Sequence, residues 1–165
     1  MGTLASLHRQ LTREQRFPLG ARCHRCGWRH VSALVAGSNP VMCYQCRAPM
    51  TGRPSFEVHH IGGRANGGTG IRVPANLHRL CSDRALDWPP EVASNRGASH
   101  ALSIAARLLG WSDLLASLAD FIDNNPRIRQ SAEALALATM LNDAANDFRQ
   151  AAMTILEEKE GNPNV

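Results

Sequence analysis

The chain has 165 residues, enough for one modest domain with an attached module but too few for two large hydrophobic cores. Hydrophobic residues make up 44% of it, which excludes an intrinsically disordered chain. We find no apolar run long enough to span a bilayer and no apolar stretch of a secretory signal near the start, so we expect a cytoplasmic protein without membrane contact.

The formal net charge of +4 is unevenly distributed. Residues 1–90 hold twelve arginines against four acidic residues, a balance of +8, whereas the remainder has six basic and ten acidic residues. Arginine pairs with phosphate through two parallel hydrogen bonds and keeps its charge when partly desolvated. The first half therefore favours a nucleic-acid partner, with a basic surface that serves only solubility as the alternative.

Two segments are predicted at the start of the chain. Residues 4–16 carry leucines on one side, which predicts a short helix within an N-terminal arm, residues 1–19. Residues 20–54 are broken by glycines and prolines between short apolar runs, which predicts a zinc ribbon of short strands and turns.

Four cysteines in this second segment form two Cys-x-x-Cys pairs, Cys23 with Cys26 and Cys43 with Cys46, separated by sixteen residues. In a cytosolic chain this spacing favours metal over disulfides, with redox or unliganded thiols as the alternative. Four thiolates complete a tetrahedral zinc site and leave no open position for catalysis. We therefore predict a structural zinc.

The pattern of residues 55–90 predicts a strand followed by a glycine-rich loop. A second strand around Ile71–Val73 and a helix over residues 77–88 are predicted after the loop. The loop carries Asn66, a His-His pair precedes it and His78 begins the helix. The pattern His-His-x-x-Gly-Arg-x-Asn followed by Leu-His-Arg resembles the HNH, or ββα-metal, endonuclease family, particularly its bacterial and phage-like members. The resemblance covers about residues 20–90 and implies two antiparallel strands and a helix around a divalent cation.

The resemblance implies a role for each histidine. His59 and His78 correspond to metal ligands, and His60 corresponds to the general base that takes a proton from the attacking water. Adjacent residues on a strand point to opposite faces, so His59 and His60 can serve different purposes. Two imidazoles with oxygen ligands suit magnesium, manganese, nickel or zinc, and we take magnesium as the default for the catalytic divalent metal.

The remaining site residues come from the same resemblance. Asn66 corresponds to the family's middle Asn, which braces the loop and orients the catalytic His, whereas for its rival Asn76 a helix-capping role suffices. Arg64 and Arg79 are expected to contact phosphates. The sequence departs from the family pattern at Ser82, where some relatives have a second metal-binding His on the helix. We expect Asp83 or water to take the place of that ligand.

Residues 91–165 predict a helical hairpin, with helices at about 98–122 and 128–158 and a turn at Asn124–Pro126. An apolar seam on the second helix allows packing on the nuclease module or a homodimer through these C-terminal helices. The seam comprises Leu137, Leu141, Ala144, Phe148, Ala152 and Ile155.

The expected fold class is therefore α+β, a small zinc ribbon joined to an HNH motif at residues 55–90 and followed by the hairpin. The function that the resemblance implies is metal-dependent hydrolysis of DNA phosphodiester bonds. A catalytically inactive zinc-ribbon nucleic-acid-binding or adaptor protein is the alternative, and Ser82 is its best argument. A structural assembly protein built on the hairpin is a third reading.

Overall fold

The computed structural model describes residues 4–125 and 128–161, apart from the side chain of Glu160. The class is mixed α+β, mostly helical with one two-stranded sheet, as predicted. The elements are α1 (Leu4–Glu14), α2 (Tyr44–Arg47), β1 (Phe56–His60), β2 (Gly70–Pro74), α3 (Ala75–Arg84), α4 (Pro90–Ser94), α5 (His100–Asp123) and α6 (Ala132–Gly161).

Strands β1 and β2 form the predicted antiparallel hairpin, with His59 opposite Ile71 and His60 opposite Gly70. The connecting loop turns so tightly that a Cβ on Gly68 would lie 1.6 Å from the Ile61 carbonyl oxygen. Only glycine fits at such a close approach of backbone to backbone. The glycine-rich composition of the loop is thus a steric requirement of the hairpin.

The segment around the cysteines differs from the predicted ribbon of strands. Between residues 22 and 54 its extended pairing is one isolated bridge, Leu34 with Cys43, and the rest is turns, short 3₁₀ segments and the single turn of α2. The side chain of Cys43 caps α2 by accepting a hydrogen bond from the Cys46 N–H. Local turns organised by the cysteines replace the strands.

Helix α1 occupies the predicted N-terminal helix but ends at Glu14. It is held through its polar side, because Arg9 pairs with Asp87 at 2.8 Å and Arg13 pairs with Asp83. Its leucines at positions 4, 7 and 11 are exposed. Ion pairing, and not apolar burial, sets the orientation of this helix.

The helical hairpin is present, but its buried seam differs from the predicted one. The residues of α6 that are buried are mostly small, and the predicted Leu137 is 49% exposed. The prediction is confirmed at Ala152, which is buried, and Leu141 and Ile155 pack against the core, but the other buried positions are mostly alanines, which allow the two helices to approach closely. The buried set is Ala134, Ala138, Ala145, Ala152 and Leu156. Helix α6 begins at Ala132 and not near residue 128, and Pro126 of the predicted turn lies outside the described residues.

Helix α5 is long and apolar enough to cross a membrane by length and composition alone, with a mean hydropathy of 1.3 in its most apolar stretch. The sequence-based reading of no such run is therefore wrong by that criterion. More than half of the stretch, 56%, is buried inside the protein, as in the core helix of a soluble protein. Length and composition alone are weak grounds for a membrane span.

Candidate metal centre and histidine cluster

The four predicted cysteines come together although they belong to two separate turns. Their sulfur atoms all lie within 4.8 Å of one another, and none forms a disulfide. Cys26 Sγ is 3.7 Å from Cys43 Sγ. A tetrahedron with Zn–S bonds of about 2.3 Å has S–S edges of about 3.8 Å, so the cluster can hold a metal ion such as zinc.

The surroundings of the thiols affect their pKa values in different directions. Burial raises the pKa of Cys26 to about 11 and also raises the pKa of Cys46. At Cys23 burial acts in the same direction, but hydrogen bonds to backbone groups of Cys43 and Cys26 outweigh it and lower the pKa to about 7. The backbone around Cys23 therefore favours the thiolate, which is the metal-binding form.

Two of the three predicted histidines meet on the helix-facing side of the hairpin. The rings of His59 on β1 and His78 on α3 are edge to face, with centroids 5.5 Å apart. Glu57 lies two residues before His59, hence on the same face of the strand, and its Oε2 atom is 2.8 Å from His78 Nδ1. The sequence reasoning missed Glu57, although strand alternation could have indicated it.

Both of these imidazoles favour the neutral form. Burial lowers the pKa of His59 to about 4, and the neighbouring His78 and His60 add to the effect. Burial also lowers the pKa of His78, against the opposing effect of the Glu57 carboxylate. Neutral imidazoles have the free lone pair that a metal ligand needs.

His60 sits on the opposite face of β1, as strand alternation predicts, and is partly exposed. Its Nδ1 atom lies 3.4 Å from the carbonyl oxygen of Gly68 in the loop. A backbone carbonyl beside Nδ1 favours the tautomer with the proton on Nδ1, which leaves Nε2 as an acceptor.

Asn66 is 4% exposed and holds the loop together. Its amide nitrogen donates to the carbonyl oxygens of Gly62 at 2.9 Å and Val92 at 3.0 Å, and its oxygen accepts from Asn95 at 2.8 Å. In the described part of the chain it has no hydrogen bond to His59, His60 or His78. The predicted bracing of the loop is present, and any effect on the histidines runs through the loop backbone.

Two other sequence-based interpretations need correction. Asn76 is not a cap of its own helix, because it lies inside the first turn of α3 and its oxygen accepts from the Gln45 N–H at 3.0 Å, at the start of α2. Asp83 does not replace a missing ligand. It accepts a hydrogen bond from Ser32 at 2.7 Å and pairs with Arg13, and both interactions lower its pKa against the raising effect of burial.

The two predicted phosphate-binding arginines have different environments. Arg64 is exposed at the loop. Arg79 donates to both oxygens of Glu57, at 2.9 and 3.1 Å, and its guanidinium lies 4.7 Å from the centre of the Tyr44 ring. Arg79 thus fixes the carboxylate that contacts His78.

Among the residues that the structure describes, only the four cysteines bring three or more metal-ligating atoms within 4.8 Å of one another. The histidine cluster is a looser arrangement of two imidazoles and one carboxylate. Comparison of the chain with protein-family models, with curated proteins and with solved structures finds no match.

Proposed function

We propose that the chain is a metal-dependent HNH-type endonuclease that hydrolyses phosphodiester bonds in DNA, with a structural zinc on its four cysteines. One observation carries the proposal. Glu57, His59 and His78 gather on one side of a β-hairpin and its following helix, while His60 occupies the next strand position. The basic balance of residues 1–90 supports a polyanionic substrate.

In this proposal His59 and His78 hold the catalytic divalent cation. Glu57 Oε2 lies 2.8 Å from Nδ1 of His78 without hydrogen-bond geometry, and a carboxylate in this place would leave Nε2 as the His78 atom that could hold the cation. Arg79 keeps Glu57 in place. When bound, the cation supplies stabilisation of the negative charge that develops on the phosphate oxygens.

His60 accepts the proton of the attacking water at Nε2, because the Gly68 carbonyl favours the proton on Nδ1. Asn66 is a positioning residue. It fixes the loop that presents this carbonyl, through its bonds to Gly62 and Val92. Arg64, exposed on the same loop, contacts the phosphate backbone.

A homodimer through the C-terminal helices is part of the proposal. Leu135, Leu137 and Met140 on α6 are 50%, 49% and 68% exposed, which leaves apolar surface for a second copy. A two-fold axis would present two active sites to opposite DNA strands. Light scattering tests the homodimer. A monomeric mass would contradict the dimer but would leave the proposed nuclease activity unaffected.

The test of the nuclease is cleavage of supercoiled plasmid by the purified, zinc-loaded protein with added magnesium, manganese, nickel or zinc. His60→Ala is the test variant and His100→Ala the matched control, since His100 is an exposed histidine at the start of α5. We expect metal-dependent nicking or linearisation that is lost in His60→Ala and in EDTA but kept in His100→Ala. No cutting with any of the metals would contradict the proposal.

The alternative is a zinc-binding nucleic-acid-binding or adaptor protein that does not cut. It is favoured by the histidine cluster, whose ligand atoms lie farther apart than those of the four cysteines. Because Ser82 is not a histidine and Asp83 is hydrogen-bonded to Ser32, α3 offers one imidazole ligand. DNA binding by the wild-type protein without cleavage under any metal would support this alternative.

A further inference from the structure

A cavity, with apolar and charged residues in its walls, lies between the cysteine region and the β-hairpin. It is a pocket of about 290 Å³ lined by the side chains of Tyr44, Arg47, Arg53, Glu57 and Arg79, and we call it the arginine pocket. Its volume is near the lower end of the roughly 300–1,000 Å³ typical of small-ligand sites. It can therefore take a small anion or one group of a larger ligand.

The charge of the arginine pocket is positive, with three guanidinium groups and one carboxylate. The carboxylate, Glu57, is already paired with Arg79. Within residues 4–125 and 128–161, Arg47 and Arg53 have no carboxylate partner, so their charges are uncompensated. Two unpaired guanidiniums facing one cavity favour an anion with several acceptor oxygens, because each guanidinium can donate two parallel hydrogen bonds.

Part of the pocket wall is ordered before any ligand binds, whereas Arg53 is an exposed side chain. Arg47 directly follows Cys46 in α2, so the cysteine cluster fixes its backbone. Arg79 is held on two sides, by the carboxylate of Glu57 and by the ring of Tyr44. Groups that are already ordered lose less conformational entropy on binding than free surface arginines do.

Position links the pocket to the histidine cluster, since Glu57 lines the pocket and also contacts His78. We propose that the arginine pocket binds a backbone phosphate of the same nucleic-acid strand that the histidine cluster engages, beside the phosphate at the cluster. This rests on the proposed function. It gives the cysteine region a direct part in substrate binding in addition to its structural one.

The experiment measures binding of a short fluorescein-labelled DNA duplex by anisotropy, with the zinc-loaded full chain carrying His60→Ala so that no cutting occurs. The test variant adds Arg47→Gln and Arg53→Gln. The matched control adds Arg22→Gln and Arg25→Gln, which remove the same charge from exposed arginines of the cysteine region outside the pocket. Circular dichroism and zinc content show that each variant is folded.

We expect the pocket variant to bind about tenfold or more weakly than its His60→Ala parent, with a log–log salt dependence shallower by about two phosphate contacts. The control should lose much less affinity. Equal weakening in both variants, or none in the pocket variant, overturns the proposal. Calorimetry with inorganic phosphate provides a second arm, and tight phosphate binding that the pocket variant loses, with DNA binding unchanged, overturns it in favour of a free anion.

Plasmid cleavage by the wild-type protein separates the two proposals. Cutting together with unchanged binding in the pocket variant leaves the nuclease standing and removes the pocket. Absence of cutting together with a specific loss of binding in the pocket variant removes the nuclease and keeps the pocket as a phosphate site.

Discussion

Replacing Glu57 by Gln tests whether the histidine cluster is a working site. The carboxylate lies 2.8 Å from His78 Nδ1 and also binds Arg79. Glutamine keeps the size of the side chain but removes the charge. The contact with His78 has an ion-pair distance without hydrogen-bond geometry, and removing a carboxylate that lies behind a metal-binding imidazole should lower metal affinity or cleavage rate roughly 10–100-fold.

The effect of Glu57→Gln can also be measured without cleavage. Manganese binding by the zinc-loaded protein is followed by calorimetry, and ¹⁵N NMR reports which ring nitrogen of His78 carries the proton. We expect weaker manganese binding and a lower pKa of His78 in Glu57→Gln, because the carboxylate opposes the lowering effect of burial. Glu133→Gln, an exposed position at the start of α6, is the control.

Unchanged manganese affinity together with an unchanged His78 titration would show that Glu57 does not act on His78. Weaker manganese binding with an unchanged tautomer would instead indicate a direct ligand. A loss of folding is excluded by urea unfolding of the variant beside the wild-type protein.

Three further predictions concern the frame around the site. Asn66→Ala removes two donated hydrogen bonds and the acceptor for Asn95 in a buried position, so urea unfolding should show a loss of about 3 kcal/mol; a loss below about 1 kcal/mol contradicts the bracing role. Burial raises the pKa of Asp113 to about 6 although Arg149 pairs with it. Its contribution to stability is therefore complete well below pH 4 and lost as the pH rises through about 6. Relative to Asp113→Asn the unfolding free energy should fall by about 2 kcal/mol between about pH 4 and about pH 6; a constant difference refutes the shift. Chelation should release one zinc and expose Trp28, which is 3% exposed and packs in one cluster with Cys23; a red shift of its emission, absent from Trp28→Phe, is the measurement.

The local patterns of the sequence predicted much of the frame. The alternation in residues 55–62 and the glycines after it gave the hairpin within a residue or two of its bounds, since period two and tight turns are local properties. The Cys-x-x-Cys spacing predicted the cluster for the same reason. These features depend on near neighbours, which a sequence displays directly.

The predictions that failed concern residues whose contacts are distant along the chain. The predicted seam of α6 is only partly buried: Ala152 lies in the core, whereas Leu137 is exposed and the alanines Ala134 and Ala138 pack against α5 in its place. Asp83 was expected, as an alternative to water, to fill the place that Ser82 leaves empty, and its ion pair with Arg13 could not be foreseen because Arg13 is far away in sequence. Glu57 was overlooked because its role appears only when α3 brings His78 against β1.

Helix α5 connects these parts and explains how so short a chain orders them. Leu114 packs with Ile61 and Leu77 under the hairpin, and the ring of Phe121 packs at a tilt against Trp28 of the cysteine region, with centroids 5.0 Å apart. A Cβ on Gly110 would lie 2.5 Å from the Gly62 nitrogen, so the same helix backs the loop beside the histidines. A small sheet cannot bury enough apolar surface to be stable alone. Helix α5 therefore supplies apolar surface on which both the β-hairpin and the cysteine region pack.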